Sequence, residues 1–122
     1  MSTVSGKRRV LFIEDEPALR RSYERFFSRS YEVALAGTGA EGLERLAAFS
    51  PDVLVLDLRL PDTDGIALLQ TIRRAHPTLP VVVTTAYVSM EPLISVLKLD
   101  HSAYLVKPFD LNDLAARIDA AG

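Results

Sequence analysis

Val53-Leu54-Val55-Leu56-Asp57 runs four apolar residues straight into a carboxylate. A strand with one wet face alternates apolar and polar residues. A strand without alternation is covered on both faces, as in a parallel sheet packed between helices. Val81-Val82-Val83 repeats the style within Val81–Thr85, and Arg9–Ile13, Tyr31–Ala36 and Ala103–Val106 are short β-branched-rich runs of similar length. Five strands are therefore expected, with Val53–Leu56 deep inside.

The intervening stretches carry helical period. Leu19, Tyr23, Phe26 and Phe27 fall at i, i+4, i+7 and i+8, and Pro17 suits a first helical turn. Thr38-Gly39-Ala40-Glu41 reads as a capping box opening a helix with Leu43, Leu46 and Ala47 on one side. Ile66, Leu69, Ile72 and Arg73 continue the pattern to about His76, where Pro77 and Pro80 end it. A fourth predicted helix spans Pro92 to Leu99, and a fifth starts from Asp110 as N-cap, with Leu111, Leu114 and Ile118 inward. Alternation of strand and helix with short connections predicts an α/β doubly wound sandwich, (βα)5, around a central five-stranded parallel sheet.

The composition agrees with one domain. The chain has 122 residues, 48% hydrophobic and 25% charged, without cysteine. That excludes a disulfide framework, a thiolate metal site and a thiol nucleophile, and it suits a reducing compartment. Fourteen basic against sixteen acidic side chains give a net charge of −2, so no cationic field steers the whole chain onto nucleic acid or anionic lipid. Lys7, Arg8 and Arg9 precede only four apolar residues, too few for a secretory signal or a spanning helix. The expectation is a cytoplasmic domain over 8–122 behind a flexible segment, 1–7, with no membrane or direct nucleic-acid partner.

In an open parallel sheet, ligands bind beyond the carboxyl ends of the strands. The first predicted strand delivers Glu14-Asp15-Glu16 there, the third Asp57, the fourth Thr84-Thr85 and the fifth Lys107-Pro108. Each alone is an ordinary residue emerging from a core. Together, clustered carboxylates repel and raise one another's pKa unless a cation intervenes. An all-oxygen set suits Mg²⁺, or Mn²⁺. With an ammonium and a hydroxyl added, the site has the parts that phosphoryl transfer requires, and Asp57 is placed to form an aspartyl phosphate.

Four motifs in order, Val10-Leu-Phe-Ile-Glu14-Asp15-Glu16-Pro17, Asp52-Val-Leu-Val-Leu-Asp57-Leu-Arg-Leu-Pro61-Asp-Thr-Asp64-Gly65, Pro80-Val-Val-Val-Thr-Thr85-Ala86 and Tyr104-Leu-Val-Lys107-Pro108-Phe109, resemble the receiver domain of two-component response regulators from about Arg8 to Ala120. The resemblance implies that Asp57 is the phosphoacceptor, Asp15 a direct Mg²⁺ ligand and Glu14 the neighbouring acid acting through a metal-bound water. It implies the backbone carbonyl of Arg59 as a further ligand, Thr85 as the hydroxyl meeting the phosphoryl group, and Lys107 as the family's lysine before a cis Pro108. Tyr104 corresponds to the aromatic residue that turns inward when Thr85 moves. The implied activity is a signalling switch. It accepts a phosphoryl group from a phosphohistidine on a sensor histidine kinase or phosphotransfer protein, assists its own hydrolysis, and binds a downstream protein or itself through the fourth helix, fifth strand and fifth helix.

Two departures stand out. Asp100-His101 replaces the usual Gly-Ala, and the acid pair is Glu14-Asp15 where many members have two aspartates. Neither removes a chemical group. With the chain ending at Gly122, output is expected through a partner or through the rest of a longer regulator or hybrid kinase. A haloacid-dehalogenase-like phosphatase would require a second aspartate where Arg59 stands; a pseudo-receiver interaction module would lack an acid, the Thr or the Lys. A flavodoxin-like cofactor domain would place a Gly, Ser or Thr loop where Glu14-Asp15-Glu16-Pro17 stands. Bulky Arg59 and Tyr87, two residues beyond Asp57 and Thr85, predict slow self-dephosphorylation by shielding the attacking water. Ile94 and Leu99 flank the apolar stripe Leu93, Val96 and Leu97, which marks the fourth helix as the docking surface.

Overall fold

The computed structural model describes residues 7–86 and 101–121. Along the chain lie β1 (Arg8–Ile13), α1 (Pro17–Phe27), β2 (Tyr31–Ala36), α2 (Gly39–Phe49), β3 (Val53–Asp57), α3 (Gly65–Ala75), β4 (Val81–Thr85), β5 (Ala103–Val106) and α4 (Leu111–Ala120). Here α4 is the helix that the sequence predicts as the fifth. The predicted fourth helix, with Ile94 and Leu99, and Tyr87 lie outside the described residues. The five strands form one sheet in the order β2-β1-β3-β4-β5, every pair parallel.

The unbroken apolar run does what its pattern demands. Val53 to Leu56 are all at most 2% exposed, Val53 and Val55 on one side of the sheet and Leu54 and Leu56 on the other. Each side chain so buried contributes about 1.5–3 kcal/mol. One layer joins Val10, Phe12, Val53, Val55 and Val82 to α1 and α4; the opposite layer joins Leu11, Ile13, Leu54, Leu56 and Val83 to α2 and α3. The chain moves outward from β1 to β2, then returns to the other side of β1 with β3. The crevice at this reversal lies between the ends of β1 and β3, where doubly wound sheets bind ligands.

Two helices turn a different face inward than their period suggests. On α2, Leu43 is 39% exposed and Ala47 also faces solvent, whereas Gly39, Gly42 and Leu46 are buried. A Cβ on Gly42 would stand 2.5 Å from Ile13 Cδ1. The helix rolls onto its smallest residues because they admit the closest approach to β1. On α1, Tyr23 and Phe27 fill the layer over Phe12, with ring centroids 4.6 and 5.1 Å away, and Phe26 is left 38% exposed.

The start of α2 is also held differently from a capping box. Thr38 accepts from the Glu41 amide at 3.0 Å, but the Glu41 carboxylate accepts from Gly37 rather than Thr38. The amides of Gly39 and Ala40 donate to the Asp62 carboxylate, 2.8 and 3.0 Å away, in the loop after β3. These two N–H groups hold the Asp62 carboxyl below the usual carboxylate range. That loop closes on itself through Gly65, whose amide donates to Leu58 O at 3.1 Å and where a Cβ would run into the Leu58 main chain. Gly65→Ala is expected to lower stability by about 2 kcal/mol, as overpacking does. Urea unfolding checks this, and an unchanged midpoint would show that the loop yields.

Candidate functional site

At the carboxyl end of β1 the strand's alternation buries Glu14, 1% exposed, and turns Asp15 outward. Two contacts hold this corner before α1 begins at Pro17. The Glu16 amide donates to Glu14 Oε2 at 3.1 Å, and the Arg20 guanidinium donates to the Glu14 carbonyl at 2.8 Å. Asp57 is the last residue of β3 and only 2% exposed. It accepts from the Arg59 amide at 3.2 Å, and Arg59 bridges to Asp64 across the loop.

Lys107 arrives from the turn after β5, where the Lys107–Pro108 peptide is cis as expected. Its ammonium lies between the two buried acids, 2.9 Å from Glu14 Oε1 and 3.3 Å from Asp57 Oδ2. Burial pushes the Glu14 carboxyl up to about 7, against the hydrogen bond from Lys107. Burial likewise raises Asp57 above the usual carboxylate range, with Lys107 and the Arg59 amide opposing it. Burial works against the Lys107 ammonium too, but the hydrogen bond to Glu14 and the charge of Asp57 outweigh it, and its pKa ends above the ordinary lysine value.

One ammonium therefore serves two buried carboxylates, and Asp15 adds a third at the rim. Ligand oxygens of Glu14, Asp15 and Asp57 lie within 4.8 Å of one another. Oxygen donors at that separation, short of positive charge, fit a hard divalent cation such as Mg²⁺. An open cleft of about 510 Å³ over them is lined by Asp15, Glu16, Pro17, Asp57, Arg59, Ala86 and Lys107. That volume has room for a small anion beside Asp57 and Lys107.

Glu14, Asp15, Asp57, Arg59 and Lys107 are thus brought together. Alternation puts Thr85 and Tyr104 on the opposite face of the sheet from Asp57, although the Thr85 carbonyl accepts from the Lys107 amide at 2.7 Å. Val83 pairs with Tyr104 in register, both belong to the layer of α2 and α3, and Thr85 is two residues beyond Val83 on that face. The Tyr104 ring meets His101 edge-on, with centroids 6.3 Å apart. Beside Asp57 in register stands Thr84, buried on the α1 side together with Tyr23. Sequence reading placed Thr84 at the strand end with Thr85 but gave the site role to Thr85, and it counted Tyr23 only as an apolar position in a helical period.

The sequence profile of the response regulator receiver domain matches residues 10–119. The DNA-binding transcriptional regulator NtrC of Escherichia coli is 37% identical over 121 residues, covering 92% of this chain and 24% of its own length. The chain spans about a quarter to a half of the length of such relatives. Among solved structures, a CheY-like receiver domain from Methanospirillum hungatei superimposes with a TM-score of 0.85 at 29% identity, over 93% of this chain and 92% of that one. The response regulator TrrA of Thermotoga maritima, in complex with Mg²⁺ and beryllium fluoride, gives 0.81 at 25% identity, over 93% and 97%.

Proposed function

Because the chain belongs to the response regulator receiver family of two-component systems, we propose that Asp57 accepts the phosphoryl group and that Glu14, Asp15, Asp57 and the Arg59 carbonyl hold the Mg²⁺ that supports transfer. The observation carrying this reading is the Lys107 ammonium poised between two buried carboxylates at the sheet's switch point. Receiver domains take their phosphoryl group from histidine kinases. The proposed donor here is a phosphohistidine of a kinase or phosphotransfer protein.

The chemistry follows from the geometry. A carboxylate oxygen of Asp57 forms the new P–O bond as the P–N bond to the donor imidazole breaks, and the leaving nitrogen regains a proton. Lys107 favours the ionised form of Asp57 against its burial and offers positive charge to the phosphoryl group as it is transferred. The divalent ion, when bound, neutralises phosphoryl oxygens. Hydrolysis then reverses the modification: a water entering through the open cleft attacks phosphorus, the P–O bond to Asp57 breaks, and inorganic phosphate leaves as the carboxylate is restored. Thr85 and Tyr104, sharing one face, are the proposed couple that carries the change to the β5 side, toward a protein target or a second copy. Among the described residues no helix is long and apolar enough to cross a membrane.

The test is phosphorylation by acetyl phosphate with Mg²⁺, read by intact-protein mass spectrometry. One alkali-labile adduct supports the reading, and none under any Mg²⁺ concentration overturns it. Asp15→Asn is expected to weaken Mg²⁺ binding at least tenfold by removing one of three carboxylate charges, as calorimetric titration would show. Arg59, exposed at the cleft rim, is expected to shield the bound phosphoryl group. Arg59→Asn then shortens the phosphoprotein's lifetime several-fold, and an unchanged decay rejects the shielding role.

A further inference from the structure

Two buried hydroxyls on the α1 side of the sheet, those of Tyr23 and Thr84, lack a hydrogen-bond partner among the described residues. Tyr23 is fully buried and Thr84 is 1% exposed. Glu14 Oε1 is a third such atom: it meets the Lys107 ammonium as an ion pair but accepts no well-directed hydrogen bond. An unsatisfied buried hydroxyl is costly, and native proteins retain few.

The fold puts all three on one side of one crevice. Glu14 follows Phe12 by two residues on the α1 side of β1, and Tyr23 stacks on Phe12 from above. A long side chain on a helix leans toward the helix N-terminus, and the N-terminus of α1 adjoins Glu14. The Tyr23 hydroxyl is therefore directed along β1 toward the acids. Burial first, then the charges of Glu14, Asp57 and Glu16, keep its phenol protonated and a donor. Thr84 is in register with Asp57 and, by strand alternation with Val82, on the same face. Thr84 is thus the register neighbour of Asp57, and Tyr23 packs on the strand that ends at Glu14, on one face of the sheet.

We infer that Tyr23 and Thr84 are positioning residues for the acid cluster, buried donors that engage Glu14 and Asp57 once a phosphoryl group on Asp57 draws the Lys107 ammonium away. This rests on Asp57 being the acceptor. Before transfer, one ammonium is shared by both carboxylates and the hydroxyls are idle. Afterwards the ammonium faces the phosphoryl oxygens, and the carboxyl oxygens of Glu14 and Asp57 that it met at rest are left without that donor. Donors on this face then stabilise the loaded state alone, and only such differential contacts shift a two-state equilibrium.

The comparison is between wild type, Tyr23→Phe and Thr84→Val, each keeping the shape of its parent side chain. Melting temperature is read in EDTA, and beryllofluoride affinity is read by calorimetry at fixed Mg²⁺. The variants are expected to melt no lower than wild type in EDTA. Their beryllofluoride affinity is expected to fall about three- to tenfold, the worth of one hydrogen bond. Affinity equal to wild type in both variants overturns the inference and leaves the acceptor assignment standing. So does a lower melting temperature in EDTA, which would mean the hydroxyls already work at rest. Should Tyr23→Phe fail to fold, Thr84→Val decides by the same two readings. If wild type itself binds no beryllofluoride, the acceptor assignment falls and this inference with it.

Discussion

Asp57→Asn is expected to take up no phosphoryl group from acetyl phosphate and Mg²⁺, where wild type is labelled to completion. The amide lacks a nucleophilic oxygen of comparable strength, and no other carboxylate has the same position. Glu14 is equally buried but already lies against Lys107 at 2.9 Å, and Asp15 stands at the exposed rim. The variant should nevertheless fold. Asp57 is 2% exposed, with its carboxyl raised by burial, so a neutral isostere relieves desolvation in the unphosphorylated protein. Its melting temperature at pH 8 is expected to equal or exceed that of wild type. Stoichiometric labelling of a folded Asp57→Asn protein would falsify the assignment of the acceptor.

Removal of the ammonium should have the largest effect on stability. Lys107→Met leaves Glu14 and Asp57, 1% and 2% exposed, without a counter-ion. Breaking a buried pair in this way costs about 3 kcal/mol or more. The loss depends on pH in a definite direction. A group whose folded pKa lies above its unfolded value stabilises the fold at low pH, and this contribution disappears as pH rises through the folded pKa. For Glu14 that window runs from 4.5 to about 7 in wild type, and Asp57 shifts in the same direction. Without Lys107 both carboxyls rise further, so the window widens upward. Urea unfolding in EDTA should show a large difference between variant and wild type at pH 8 and a small one at pH 5. A difference independent of pH would mean that Lys107 acts through packing of its stem rather than through charge.

The strands were legible in the sequence because continuous apolar runs have few alternatives, and each observed strand starts or ends within one residue of its expected place. The polar residues at strand ends were legible for the same reason: once the strands are set, Glu14, Asp57 and Lys107 must emerge at one edge. Helix faces were less so. Period alone treats Leu43 as a better core residue than Gly42, yet close approach to Ile13 favours the glycine and leaves Leu43 in water. Contacts between distant loops were not legible at all. Nothing local to Asp62 announces that it serves the start of α2, since the partner amides are 22 and 23 positions away. Tyr23 escaped because apolar patterning registers its ring and is blind to the hydroxyl it carries, whereas Thr84 was legible at its strand end but not as the register neighbour of Asp57.

The bond between Asp62 and α2 gives the molecule a natural reporter. The leading amides of a helix have no carbonyl of their own helix to bond and exchange freely with solvent unless something else covers them. Here the Gly39 and Ala40 protons are covered by a side chain from the loop that follows the acceptor strand. Their hydrogen-exchange rates therefore measure how often that loop lifts, at a place in the chain remote from any titrating acid of the cleft. Two backbone resonances, followed without a label or a mutation, would time the loop's opening before and after the cleft is filled.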